Sequence, residues 1–443
     1  MHIPTKPVRA LILLFFPVLL WGQSTELRRL SLDEIVQIGL ANSKQLQITN
    51  AKLMAAHAKT SQLGDAFIPS VNYNGSYTRL SKNVPEFGFT TPNGDYRVLN
   101  PLIPNNFSNR FSLSEVVFTG FRALNAIKAS EFLETAAKVD VERDQKEVQL
   151  NLLNAGITLY KLEQAKRTFE ANLNTARQRV TDMRNLRAQG LALDNDVLKA
   201  ELGVAQLETA KSETEHAISA TAFSLSVLLG LPESTSVQVD SASVASVSTP
   251  DGTLESFLNN ATNRADVRAA GLRTEASAKQ LSGTKGAMLP LVSVGANLYI
   301  NNPNQRFFPP EDVFHTTWDA GLSLSWNLTS LYTSRHTIEE SKANLLSSNL
   351  QQQQLTDAAR TEIANQFYAW QTARDKQSLY ALSVKQAVEN QKVILARQRQ
   401  QTATATELLD ADALRIQAEI NRVTAESDMR LAYFRLLKSA GKL

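Results

Sequence analysis

The 443-residue chain contains no cysteine. It therefore has no disulfide framework, no thiol chemistry, no cysteine-ligated metal and no cysteine to carry a lipid. Glycine and proline are sparse, at 18 and 14 residues, which leaves room for long unbroken elements. There is no excess of charge of either sign, since 46 basic residues face 43 acidic ones. That balance excludes a nucleic-acid partner, which would need a basic face. Beyond the N-terminus no run of apolar residues is long enough for a transmembrane helix, so any membrane crossing must use β-strands. His2, His57, His216, His315 and His336 never fall at metal-ligand spacing. No glycine loop cradles a phosphate and nothing marks a serine nucleophile. The chain is accordingly read as having no catalytic residue, no metal and no cofactor.

The first 22 residues have the three-part build of a secretory signal. Lys6 and Arg9 precede an apolar run, Ala10 to Trp21, and Gly22 and Ser24 offer small residues at a cut site. The run contains Pro17 and falls short of the roughly 20 residues that span a bilayer. The mature chain is expected to be exported.

Two long stretches carry no proline, one between Pro104 and Pro232 and one after Pro310. Apolar residues recur three or four apart, as in Val148, Leu152, Ala155, Leu159 and Leu162, which predicts long amphipathic helix of coiled-coil type. Soft breaks at Gln189-Gly190-Leu191 and at Thr402 to Thr406 divide each stretch into a long helix, a turn and a shorter return helix. The expected spans are 121–190 with 193–230, and 333–401 with 406–440. Two further helices are expected, 32–64 capped by Ser31 or Asp33, and 253–285 capped by Thr253. In each half the two shorter helices together match the long one, which predicts a shaft four helices wide and about 105 Å long.

The halves repeat. Asn42 with Leu46 aligns with Asn263 and Val267, and Ala66-Phe67-Ile68-Pro69 aligns with Ala287-Met288-Leu289-Pro290. Phe111 to Ser114 matches Leu322 to Ser325, and Asp196-Val197-Leu198 matches Glu407-Leu408-Leu409. A tandem duplication follows, with repeats at 23–231 and 253–443. Residues 232–252 read as an equatorial linker, loop or short strand, where the short helices meet.

Four segments alternate with period two: 68–80, 107–118, 290–301 and 314–328. One face carries Val71, Tyr73, Tyr77, Phe111, Leu113, Val294, Leu298, Trp318, Leu322, Leu324 and Trp326, and is expected to meet lipid. The other carries Asn72, Asn74, Ser112, Ser114, Asn297, Asp319, Ser323 and Ser325, and is expected to line a wet lumen. Their lengths suit a tilted bilayer crossing, and aromatics gather near the strand ends as interfacial girdles require. Residues 81–106 and 302–313 are long polar loops with turn chemistry. Four strands cannot close a barrel, so chains must assemble. A dimer gives eight strands filled by side chains, whereas a trimer gives twelve and leaves a bore. The polar inner face favours the trimer.

In order and spacing, Leu32-Asp33-Glu34-Ile35 with Ala41-Asn42, Phe67-Ile68-Pro69, Gly190-Leu191 before Asp196-Val197-Leu198-Lys199-Ala200, Leu228-Leu229-Gly230-Leu231-Pro232 and Leu408-Leu409-Asp410-Ala411 resemble the TolC-type outer membrane efflux proteins. The resemblance covers essentially all of the mature chain. It implies a mainly α chain with a membrane β-barrel, in which helical hairpins form a tunnel in the periplasm of a Gram-negative bacterium and four strands per chain close a twelve-stranded barrel in a homotrimer. It also implies a passive conduit for efflux or type I secretion, working with a periplasmic adaptor and an inner-membrane pump. The family narrows its periplasmic end with acidic residues after the helix turns, positions matched by Asp196, Glu407 and Asp410. Some members carry a basic residue before the second acidic pair. Here Thr402 to Thr406 is uncharged, and Arg397 and Arg399 lie one turn earlier. The residues alone leave a second class open, an exported coiled-coil fibre with a structural or adhesive role.

Overall fold

The computed structural model describes residues 27–83, 85–232, 234–246 and 252–443. The expected leader at 1–22 and part of the equatorial linker lie outside these. The described chain opens with β1 (Leu27–Leu30) and two helices, α1 (Leu32–Asn42) and α2 (Lys44–Gly64). Strand β2 (Ser70–Arg79), a hairpin of β3 (Phe87–Thr90) and β4 (Tyr96–Asn100), and β5 (Asn105–Phe118) follow. Helix α3 (Arg122–Ala188) turns back as α4 (Asp194–Leu229), and a belt segment supplies β6 (Ser236–Val239) and α5 (Ser241–Ala245). The second half repeats the plan without the small hairpin: α6 (Leu254–Leu258), α7 (Ala265–Lys285), β7 (Leu291–Asn302), β8 (His315–Ser325), α8 (Ser330–Arg399) and α9 (Ala405–Ser439).

The two full-length helices have 67 and 70 residues, about 100 Å each at 1.5 Å per residue. The helix expected over 32–64 is divided. Ser43 leaves the helical region at ψ 116 and its hydroxyl accepts the Leu46 N–H, so it closes α1 and caps α2. Short polar side chains compete with helical hydrogen bonding in this way, and Asn42-Ser43 supplies two of them. The break has a tertiary use, because Asn42 Nδ2 donates to the Leu229 carbonyl at 2.7 Å and pins the end of α4. The helix expected over 253–285 is divided at the equivalent place, where Arg264 precedes α7 and donates to the Ser439 carbonyl at the end of α9. Arg264 also reaches Asp266 and Glu362 at 2.8 and 2.7 Å. Burial pushes the Asp266 carboxyl up, and the Arg264 guanidinium more than offsets this and holds it below its ordinary value.

Polar pairs fix the register of the shaft. Along the α3–α4 hairpin, Lys166–Glu215, Arg177–Glu208 and Arg184–Glu201 close at 2.9, 2.7 and 2.6 Å, one number climbing as the other falls. Helix α9 lies antiparallel on another side of α3, through Lys161–Asp428, Asn172–Glu419 and Arg179–Asp412 at 3.2, 2.9 and 2.9 Å. The exposed pairs of the α3–α4 hairpin contribute at most about 1 kcal/mol each, so they specify alignment more than stability, whereas Asn172 and Asp412 on the α9 side are buried. Towards the sheet, α3 meets α2 through Thr49–Asp144 and Thr60–Ser130, and meets α7 through Arg268–Glu142. Helix α8 joins α7 through Ser277–Ser348 and Thr284–Ser341, and joins α9 through Gln391–Asp412. The sheet-side half is thus α2, α3, α7 and α8, and the far half is α4, α3, α9 and α8, four abreast throughout.

Apolar burial is concentrated rather than spread. At the equator Ile35, Leu152, Ile157, Leu225 and Leu229 pack with Val237 and Val239 of β6. The linker there is more ordered than a loop, since β6 pairs in parallel with β1, Leu30 opposite Val239. A second cluster gathers Phe257, Phe367, Trp370, Tyr433 and Leu436. A third, at the far tips, joins Val180, Met183, Val197 and Leu408. Elsewhere the helices leave large apolar residues outside, among them Leu202, Leu346, Leu350, Leu379 and Leu382.

The main sheet has the order β2-β5-β7-β8, all antiparallel, so the two repeats join through β5 and β7. Where strands become helices the repeats press backbone against backbone. A Cβ on Gly286 would lie 2.1 Å from the Gly120 carbonyl oxygen, and one on Gly120, at φ +65, would lie 2.4 Å from the Gly286 oxygen. Two expectations change at the strand ends. The loop over 81–106 contains the β3–β4 hairpin, turning at Asn93-Gly94 with Gly94 at φ +88. Strand β8 stops at Ser325, because Trp326 Nε1 donates to the Met288 carbonyl and Asn327 Oδ1 accepts the Thr329 N–H at the start of α8.

Glu163 of α3 is 9% exposed against the belt and one of its carboxyl oxygens has no partner. Burial raises it from 4.5 to about 7, against the opposing pull of Arg167, Arg29 and the Val239 backbone. With the folded value above the unfolded one, its contribution is fully present below pH 4.5 and lost as pH rises through 7. The loss is on the order of 3 kcal/mol. Glu163→Gln is expected to flatten that dependence, so that the difference between variant and parent in denaturant midpoints grows from pH 4.5 to pH 7.5.

Candidate functional site

Cross-strand register decides which side chains share a face of the sheet. Val71 lies opposite Leu113, Tyr73 opposite Phe111, and Tyr77 opposite Phe107. Phe111 continues to Leu298, Leu298 to Trp318, Val294 to Leu322 and Val292 to Leu324. Ten of the eleven residues expected on the apolar face are therefore together, and Trp326 lies just past the end of β8. The rings of Tyr73 and Phe111 sit 4.8 Å apart. Val71, Trp318 and Leu322 are each 73% exposed in the single chain, so this face packs on nothing of its own. One charged residue, Glu115, falls by register among them, opposite Val294 near the helix end.

The opposite face is polar along most of its length, with Val116 and Leu291 at its helix end. Asn72 lies opposite Ser112, Ser112 opposite Asn297, and Asn297 opposite Asp319, with Asn297 Nδ2 donating to Asp319 at 2.8 Å. Asn74 lies opposite Arg110, Ser114 opposite Ser70 and Gly295, and Ser323 opposite Ser293. Ser325 completes the row beside Leu291. Tyr299, one of the strand-end aromatics, also lies on this polar face, opposite Thr317. Alternation also places Arg110 on this face, whereas Arg306 sits on a loop and has no sequence signal.

At the other end of the shaft the two helix turns are built alike. Gly190 stands at φ +70 and Gln401, at the equivalent place, at φ +61. Arg397 holds the second turn, donating to the Thr402 carbonyl at 2.9 Å while the Thr402 hydroxyl donates back to the Arg397 carbonyl. Asp196 and Glu407 are equivalent, each in the first turn of a return helix and each accepting a backbone N–H, from Leu193 and Thr404. They differ in exposure. Asp196 is buried and also accepts the Thr406 hydroxyl at 3.1 Å, which ties the two tips together. Glu407 faces solvent and its carboxyl is held below the ordinary value by the Thr404 backbone N–H, then by the Thr404 hydroxyl and by Arg397. Asp410, one turn on, is exposed beside a groove of about 420 Å³ that α3, α4 and α9 line with Arg179, Lys199, Asp412 and Arg415. Among the described residues no helix is long and apolar enough to cross a membrane, and no three acidic or histidine residues are placed to hold a metal ion.

A strand quartet with one oily and one polar face, running straight into a helical shaft, defines the class of β-barrel channel with a helical tunnel. The fold matches solved structures of that class. The outer-membrane channel OprN superposes with a TM-score of 0.75 at 19% identity, over 93% of this chain and 90% of that one. CusC, described for its transmembrane channel formation, gives 0.78 at 14% identity over 93% and 92%. The outer membrane protein VceC from Vibrio cholerae gives 0.75 at 18% identity over 93% and 96%. No curated protein sequence matches. The outer membrane efflux protein family matches residues 35–231 and 259–442, one match for each repeat. The chain belongs to that family: it is an efflux-type channel of the outer membrane, with its helical shaft in the periplasm, and its relatives are channels rather than enzymes.

The face assignment is testable by charge. Leu113→Arg, on the apolar face and mid-sheet opposite Val71 and Ala296, is expected to cost about 2–4 kcal/mol of stability in bilayers, as an arginine on a lipid face near the midplane does. Ser112→Arg, beside it on the polar face, is expected to be tolerated. Unfolding titrations of both variants in lipid vesicles measure the difference, and equal tolerance would reverse or cancel the assignment.

Proposed function

We propose that three copies close a twelve-stranded barrel on a twelve-helix tunnel, and that this homotrimer is the passive outer conduit of a tripartite efflux or type I secretion system. The observation that carries the reading is the open sheet. Among the described residues, strands β2 and β8 each have one edge without a partner. In hydrocarbon each unpaired N–H or C=O costs several kcal/mol, so edges must meet edges of other copies. Three copies rather than two agree with the polar inner face, because an eight-stranded barrel is filled by its own side chains. The leucines left outside on the helices supply apolar surface for the same neighbours. The oily face then touches outer-membrane lipid. Substrate enters from a periplasmic adaptor and an inner-membrane pump and leaves through the bore without a cofactor.

In this reading the far tips form the narrow end. Three-fold repetition of Glu407 and Asp410 makes acidic rings that attract cations and disfavour anions. Asp196 adds negative potential beside these rings, and its hydrogen bond from Thr406 ties the two tips of each copy together.

Purified chain in planar bilayers is expected to give discrete ion currents and to cross-link as a trimer. A lipid-free monomer without current would overturn the conduit. Replacing Glu407 and Asp410 together by alanine is expected to raise conductance and weaken block by multivalent cations. Unchanged conductance and block would remove the gate role from these residues while leaving the channel.

A further inference from the structure

The second outer loop does not stand away from the sheet. Residues 303–314 connect β7 to β8, and the side chains of those strands that they contact below all belong to the polar face. Asn304, 2% exposed, donates to the His315 carbonyl at 3.0 Å and to Thr317 Oγ1 at 3.2 Å. Phe307 stacks on the His315 ring with centroids 4.1 Å apart. Arg306 forms an ion pair with Asp319, donates to the Trp318 carbonyl at 3.1 Å, and lies 4.7 Å from the Tyr299 ring centre. His315, Thr317, Asp319 and Tyr299 all belong to the polar face. Asp319 sits four residues into β8, about 14 Å below its start at 3.4 Å per residue. Beneath the loop a cavity of about 350 Å³ is bounded by Ser76, Thr78, Asn106 and Ser108 of β2 and β5. The loop therefore roofs the polar face across to the first repeat.

We propose that this loop is a second constriction of the channel, at its outer mouth, latched down by Arg306 on Asp319. The inference rests on the conduit reading above, in which the polar face lines the bore. Arg306 is its positioning residue: Asp319, already oriented by Asn297, receives the guanidinium, and Tyr299 covers it. Three copies of the folded loop project towards one axis and set the size of solute that leaves.

The test uses the full-length protein in planar bilayers. Arg306→Ala and Asp319→Asn are each expected to raise single-channel conductance by roughly twofold, because they relieve a constriction in series with the bore. The double variant is expected to match either single one, since both break the same latch. Arg97→Ala, on the separate β3–β4 hairpin, is expected to leave conductance unchanged. The parent chain has no cysteine, so Arg306→Cys offers one thiol per copy, three in the assembled channel. Its modification by a charged methanethiosulfonate is expected to shift the current stepwise. Parental conductance in both latch variants, together with no current change on thiol modification, would place the loop outside the bore and overturn the constriction alone. Absence of current from the parent chain would instead remove the conduit and the constriction with it.

Discussion

A backbone amide in hydrocarbon has no water to turn to, and that constraint organises this molecule. The strands pair from β2 to β8 and then stop, leaving two open edges. One face of the same sheet is covered with valine, leucine and aromatic side chains that stay largely exposed among the described residues. Neither feature is stable in an isolated copy in water, and both are satisfied when edges join in a ring with the oily face outward. The helices are subject to a weaker version of the same demand. Their buried clusters lie at the equator and tips, and between these points apolar residues face outward.

The duplication solves a problem of length. Two full-span helices need partners along their whole extent, and each receives shorter helices from both sides of the equator. The junctions are held by polar side chains that reach across: Asn42 to Leu229 in one repeat, Arg264 to Ser439 in the other. Different chemistry serves equivalent places, which is why the repeats match in plan while their side chains diverge. The turns at the tips show the same divergence, with Gly190 and Gln401 sharing one left-handed conformation that costs a non-glycine residue more.

Much of this was legible in the residues themselves. Period-two alternation grouped the residues of each sheet face, because successive side chains of a strand point to opposite sides. Long proline-free stretches gave the helices to within a few residues. The departures have local causes. Ser43 breaks a helix because its hydroxyl competes for a backbone N–H, a preference too weak to outvote the surrounding pattern until Asn42 finds Leu229. The β3–β4 hairpin hid in a segment rich in proline and turn residues. The burial of Asp196 depends on Thr406, more than two hundred residues away. Arg306 was invisible for the same reason, since its partners lie on two strands and a loop carries no periodicity.

The staggered helix junctions have a mechanical consequence. As in brickwork, where each vertical joint is bridged by the course beside it, the interruptions near Ser43, Gly230, Arg264 and Gly441 all lie against the unbroken α3 or α8. No cross-section of the shaft lacks continuous covalent chain. Flexure applied at one extremity is carried through the waist by two struts.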